Sequence, residues 1–184
     1  MMKSKFIGLI IVLLSCYTLA PAQKFGYIDS DFIIKKMPEY KKAETELTEI
    51  SQKWQKEIES LKLTIDKLQA DFRSEEVLLS EEMKKERQDT IVAKEKKLKE
   101  QQKKIFGFEG LIFLKRQELM KPVQDKVFEA VEKVSKAKQL QIMFDKSGDL
   151  VMIYTNPVHD YTDFVLDQLG LGDPNDTVEG NENE

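Results

Sequence analysis

Residues 39–72 read EYKKAETELTEISQKWQKEIESLKLTIDKLQADF, without a glycine or a proline. Apolar side chains recur at Tyr40, Ala43, Leu47, Ile50, Trp54, Ile58, Leu61, Ile65, Leu68 and Phe72. Nine steps of three or four cover 32 residues, a period near 3.56 that lies between a plain helix and a strict heptad. The double step of four at Ile50–Trp54–Ile58 is a stutter that relaxes the supercoil locally. The spacing predicts one helix from Glu39 to about Val77, about 60 Å long at ~1.5 Å per residue. A chain of 184 residues holds one ordinary domain, and nothing that long fits inside it. The helix must lean on a second one.

The next segment supplies the partner. Leu79-Ser80-Glu81-Glu82 reads as a restart with Ser80 as N-cap, which puts a hairpin tip at roughly residues 77–81. Beyond it the apolar positions Met83, Ile91, Leu98 and Ile105 alternate with Arg87, Lys94 and Gln101, a seam that should pack weakly and splay. Residues 84–104 hold nine Lys or Arg against four acids, a local +5. Gly107 and Gly110 then either break the helix or mark a close approach to the backbone. Helical spacing resumes through Leu119, Val123, Val127, Val131 and Val134, with a bend expected near Glu118 and Leu119 because Pro122 offers no N–H.

Both ends read as strand. Lys24–Ile28 is short and rich in aromatic and β-branched residues, and Asp29-Ser30-Asp31 offers caps for a short helix through Met37, with Pro38 opening the long one. Leu140–Phe144 reads as a strand, Lys146-Ser147-Gly148-Asp149 as a turn and Leu150–Tyr154 as the returning strand. Asp160 or Thr162 caps a last helix that carries Val165, Leu166 and Leu169 and ends at Gly170. Three short strands make a marginal sheet whose edges are best covered by identical neighbours, so a homo-oligomer is expected. The fold class is α+β, mainly α: a small oligomeric β body (residues 23–37 and 139–171) with a long antiparallel helical hairpin (residues 38–138) as a coiled-coil arm.

Before the first strand, Lys3 and Lys5 precede the apolar run Phe6–Leu14, and Ala20 and Ala22 form an A-x-A site. Residues 1–22 read as a cleaved export signal, with Gln23 as the first mature residue. A second cut stays open: Leu13-Leu14-Ser15-Cys16 resembles a lipoprotein box, in which Cys16 would carry a lipid anchor. Losing Lys3 and Lys5 leaves 27 basic residues against 33 acids, a mature net charge of -6. With an export signal, that charge argues against nucleic acid as a partner. The acidic tail, residues 172–184, reads as disordered.

Chemistry-bearing motifs are scarce. No phosphate loop, zinc or calcium pattern or serine elbow occurs, so no catalytic residue, metal ligand or cofactor is assigned and an enzyme is not expected. His159, the only histidine, has Asp160 and Asp163 near it but no nucleophile or further ligand set.

Three pieces of sequence carry a family likeness. Phe25-Gly26-Tyr27-Ile28-Asp29-Ser30-Asp31 with Met37-Pro38-Glu39-Tyr40-Lys41-Lys42-Ala43, the stretch from Arg116 to Val127, and Tyr154-Thr155-Asn156-Pro157 with Asp160-Tyr161-Thr162, Val165 and Leu169-Gly170 resemble the Skp/OmpH-like family of periplasmic chaperones. The resemblance spans roughly residues 24–171. It implies a jellyfish-like homotrimer whose arms enclose a cavity, and an ATP-independent holdase that keeps unfolded outer-membrane β-barrel precursors from aggregating in the periplasm of a Gram-negative bacterium. On that reading Met83, Ile91, Leu98, Phe106 and Phe108 are the candidates for client-facing or arm-packing residues, with a plug at the junction of arm and body as the other role open to Phe106 and Phe108. Lys84, Lys85, Arg87, Lys94, Lys96, Lys97 and Lys99 form a basic arm surface, open to weak contact with a membrane surface or lipopolysaccharide. Enterobacterial members are similar in plan but strongly basic, unlike this chain. The alternative is an exported coiled-coil structural or adaptor protein of the envelope.

Overall fold

This computed structural model describes residues 23–149 and 151–173. Residues 1–22, read above as an export signal with Cys16 inside it, residue Leu150, and the residues beyond Asp173 lie outside the described residues. The chain divides into two compact units: a strand unit, which takes the residues up to Ser30 and those from Ala130 onward, and a helical unit, Asp31–Glu129.

In the strand unit, β1 (Phe25–Ile28) and β2 (Ile142–Asp145) pair in parallel, with Phe25 opposite Ile142 and Tyr27 opposite Phe144. A parallel pair needs a crossover, and here the whole helical unit is the connection. The other edge of β1 is also filled, because the Tyr161 N–H donates to the Tyr27 carbonyl at 2.9 Å. β1 is therefore central and β2 is an edge strand.

Of the expected strand Leu150–Tyr154, the described Val151–Tyr154 have no strand assignment, and among the described residues β2 pairs in parallel with β1 rather than in the hairpin anticipated from the Lys146–Asp149 turn. The reason lies in Asp145. Its carboxylate accepts from Ser147 N–H (3.1 Å) and Ser147 Oγ (2.7 Å), and from Ser30 N–H (3.2 Å) and Ser30 Oγ (2.5 Å). The turn is tied back to the end of β1 instead of directing the chain along β2. Partial burial alone would raise the Asp145 carboxyl, but the hydrogen bonds from Ser30 and Ser147 outweigh it and hold the group below its ordinary value. The local cap expected at the first short helix is likewise supplied from afar, by Asp145 to Ser30 N–H.

The last helix of this unit, α5 in chain order (Thr162–Gln168), buries Val165 and Leu166 completely. Asp160 Oδ1 accepts from Thr162 N–H and Oγ1 (2.9 and 2.6 Å), while Thr162 Oγ1 accepts from Asp29 N–H at 3.0 Å. Gly170 ends the helix at φ 72°, in the left-handed region that favours glycine.

The helical unit begins within α1 (Ser30–Lys36), followed by α2 (Pro38–Glu75). α2 has 38 residues, about 57 Å at 1.5 Å per residue. It ends in a 3-10 turn, Glu76–Leu78, one residue earlier than the expected tip. Ser80 then caps α3 (Glu81–Phe106) by accepting from Met83 N–H at 3.3 Å. After the Gly107–Gly110 turn comes α4 (Leu111–Ala137), which continues into the strand unit. Pro122 does not interrupt α4. Only one carbonyl, that of the exposed Glu118, loses its donor, and water can satisfy it there.

Four polar pairs fix the register of the hairpin: Glu75–Arg87 (3.3 Å), Gln69–Glu95 (2.7 Å), Glu46–Lys115 (3.8 Å) and Glu39–Lys126 (2.6 Å). Their residue numbers add to between 161 and 165 throughout, so α3 and α4 run back along α2 in one antiparallel register despite the break between them. The Lys126 ammonium on Glu39 holds that carboxyl below its usual range. Among the described residues no helix is long and apolar enough to cross a membrane.

Candidate functional site

The seam residues come first, because packing uses them up. Ala43, Ile58 and Ile65 of α2 are buried, as are Ile91 and Ile105 of α3, and the register sets Ile58 opposite Ile105. Ile91 therefore lies within the hairpin, and Leu98 is half-buried beside it. Met83 is exposed. Its expected seam place goes to Lys84, whose ammonium donates to Glu81 Oε1 at 2.7 Å and is held above its usual value by that bond. Lys94 is likewise exposed, and Glu95 takes the inner position because the Gln69 amide draws it in. The distal seam thus reads Lys84, Arg87, Ile91, Glu95 and Leu98, mostly polar, as anticipated in character though not in each position.

Of the basic residues singled out from the sequence, Lys85, Lys94, Lys96, Lys97 and Lys99 are exposed along α3, and Lys96 lies 4.0 Å from Glu100. Arg87 bridges the limbs to Glu75.

Phe106 and Phe108 stand at the break between α3 and α4. Phe108 is 96% exposed, about as open as a side chain can be. The turn that presents it is tightly folded. Gly107 N–H donates to Lys103 O and Gly110 N–H to Gly107 O, each at 2.9 Å, and Glu109 sits at φ 52°. A methyl at Gly107 would lie 2.3 Å from Lys103 O, and one at Gly110 would lie 2.6 Å from Ile105 O. Both glycines are needed for close backbone approach, and both also break the helix. Phe113 and Leu114 of α4 are exposed as well, off the stripe that runs back from Leu119 through Lys115 to Leu111 and Ile112. At the tip Val77 and Leu78 are exposed too, Val77 at 90%.

The strand unit has an apolar surface of its own. Phe25, Ile142 and Phe144 are exposed on the paired strands, and Val151, Ile153, Tyr154 and Val158 follow, with Ile153 at 99%. The His159 ring packs against Phe25 at 4.6 Å between centroids. Only the sequence pattern of Leu150–Tyr154 hinted at this surface, and it was read as a strand paired within its own chain.

Among the described residues, no group of three His, Cys, Asp or Glu side chains is placed to hold a metal ion. The arrangement offers adhesive surfaces, some apolar and some charged.

Comparison with known proteins agrees with this geometry. The profile of the family described as outer membrane protein (OmpH-like) matches residues 24–169. A crystal structure from Caulobacter crescentus CB15, described as a candidate outer membrane chaperone (OmpH-like), superposes with a TM-score of 0.68 at 16% identity. The match covers 82% of this chain and 86% of that one, a likeness of fold. No curated protein matches the chain in sequence. With both strands, the whole hairpin and the last helix inside the matched range, the chain belongs to the OmpH-like family of outer membrane proteins.

Proposed function

We propose that this chain is an ATP-independent holdase of the periplasm, acting as a homotrimer that keeps unfolded outer-membrane β-barrel precursors from aggregating. One observation carries the reading: the strand unit is incomplete by itself. β2 has an edge without a partner among the described residues, and the exposed, apolar Val151–Tyr154 finds no place on its own sheet. Open edges and exposed β-branched strands invite pairing, and sister copies satisfy them without leaving a free edge. The trimer number comes from the family likeness. Family membership and the description of the Caulobacter protein support the chaperone role.

In this reading clients are held between the hairpins of the three copies. Each large apolar side chain that a client buries contributes about 1.5–3 kcal/mol before ordering costs. A few such contacts hold an unfolded strand, and each is weak enough to be released as the client folds elsewhere. The polar distal seam fits that task, since limbs joined by ion pairs and few apolar contacts adjust to clients of different size. The expected result is that the mature protein, at near-stoichiometric ratio and without nucleotide, suppresses light scattering when a urea-unfolded β-barrel membrane protein is diluted into buffer. Undiminished scattering, with no complex on size exclusion, would overturn the proposal and favour an envelope spacer.

A further inference from the structure

We propose that the Gly107–Gly110 turn is a built docking surface for apolar segments of unfolded chains that carry acidic rather than basic residues. This deepens the holdase reading and rests on it. The fold commits two helix-breaking glycines and a left-handed Glu109 to this place, and the outcome is an almost fully exposed Phe108. Phe106, Phe113 and Leu114 are exposed around it, so four large apolar groups lie within nine residues of sequence. Nothing in hairpin packing requires them to face outward, since the buried Ile105 already fills the seam at this level.

Charge selects the occupant. Residues 99–118 hold five basic residues and three acids, a local +2, with Lys115 paired to Glu118 and Glu46 and with Lys103 and Lys104 both exposed next to Phe106. The facing stretch of α2, residues 46–62, brings four acids and three bases, which leaves the neighbourhood at +1 and its positive character on the exposed Lys103 and Lys104. The basic face of α3 runs into it from the tip side. An aromatic patch in a positive field favours an apolar strand with Asp or Glu between its apolar residues and repels the same strand with Lys or Arg. Aromatic rings also meet the apolar side chains with little loss of rotamer freedom.

The test uses the mature protein and two fluorescent peptides with identical Phe, Leu and Val positions, one spaced by glutamates and the other by lysines. Fluorescence anisotropy near neutral pH is expected to show about tenfold tighter binding of the glutamate peptide, a preference that shrinks as salt rises. Phe108→Ser, which removes an exposed side chain, should weaken that binding by about five- to tenfold with unchanged circular dichroism. Lys103→Glu with Lys104→Glu should reverse the preference. Equal affinities, binding of neither peptide, or an unaffected Phe108→Ser variant would overturn the proposal. Trp54, the only tryptophan, lies across from the turn in the hairpin register, and its emission should shift as the glutamate peptide binds. Suppression of barrel-precursor aggregation, measured alongside, separates the two claims. If suppression persists without any peptide preference, this surface assignment falls and the holdase stands. If the preference persists without suppression, the holdase falls and the surface stands.

Discussion

Gly26→Val is expected to lower the unfolding free energy of the strand unit by about 3 kcal/mol, the cost of overpacking a site that cannot relax. A Cβ on residue 26 would lie 2.3 Å from Tyr161 Cδ2 and 2.5 Å from Cε2, with Leu140 Cδ1 at 3.3 Å on another side. The ring cannot withdraw easily. The Tyr161 backbone is pinned by its N–H to the Tyr27 carbonyl, and the same ring packs against Phe164 at 5.6 Å between centroids. Residue 26 cannot move either, being paired with Met143 in the middle of β1. Urea unfolding followed by circular dichroism measures the loss, and addition of Tyr161→Ala should recover part of it, because the two changes share one contact. Gly148→Ala is the control: an added methyl there meets nothing nearer than 3.6 Å, and the change should stay within about 0.5 kcal/mol. A Gly26→Val protein as stable as the parent would mean that Tyr161 does not lie on β1.

Ile58→Ala should destabilise the hairpin by about 2–4 kcal/mol. Ile58 is buried, and in the register it faces the buried Ile105. Toward the tip the seam has only Ile65, Ile91 and half-buried residues, with Gln69–Glu95 and Glu75–Arg87 between the limbs. Such half-exposed polar pairs contribute little each. Loss of one isoleucine therefore removes a large share of what holds the distal limbs together. Hydrogen exchange is the fitting measurement: amides of residues 55–106 should lose protection by about 30- to 1,000-fold, following the same free energy, while β1 and β2 keep theirs. Equal loss in strands and hairpin would mean that the two units unfold together.

The long helix was legible because ten apolar positions in steps of three and four leave no other reading, and Ser80 and Pro38 mark their helix starts by side-chain chemistry alone. The α3 seam was legible in character only. Its polar residues could belong to either of two neighbouring stripes, and the choice was made by partners on another helix: Gln69 for Glu95, and the local Glu81 for Lys84. The strand end was misread for a related reason. A turn followed by β-branched residues predicts a hairpin locally, whereas Asp145 is committed to Ser30, more than a hundred residues away, and no local pattern reports that bond. Phe113 and Leu114 lie off the stripe that runs back from Leu119, so their exposure follows from the helical spacing once the helix start at Leu111 is known.

The central claim is that the exposed strand surface is completed by sister chains and that the completed assembly holds a client. Native mass spectrometry of the chain from Gln23 to Glu184, with an unfolded β-barrel precursor and no nucleotide, tests both parts at once. The account predicts three copies with one precursor bound. A single copy at micromolar concentration, with the precursor found only in aggregates, would contradict it.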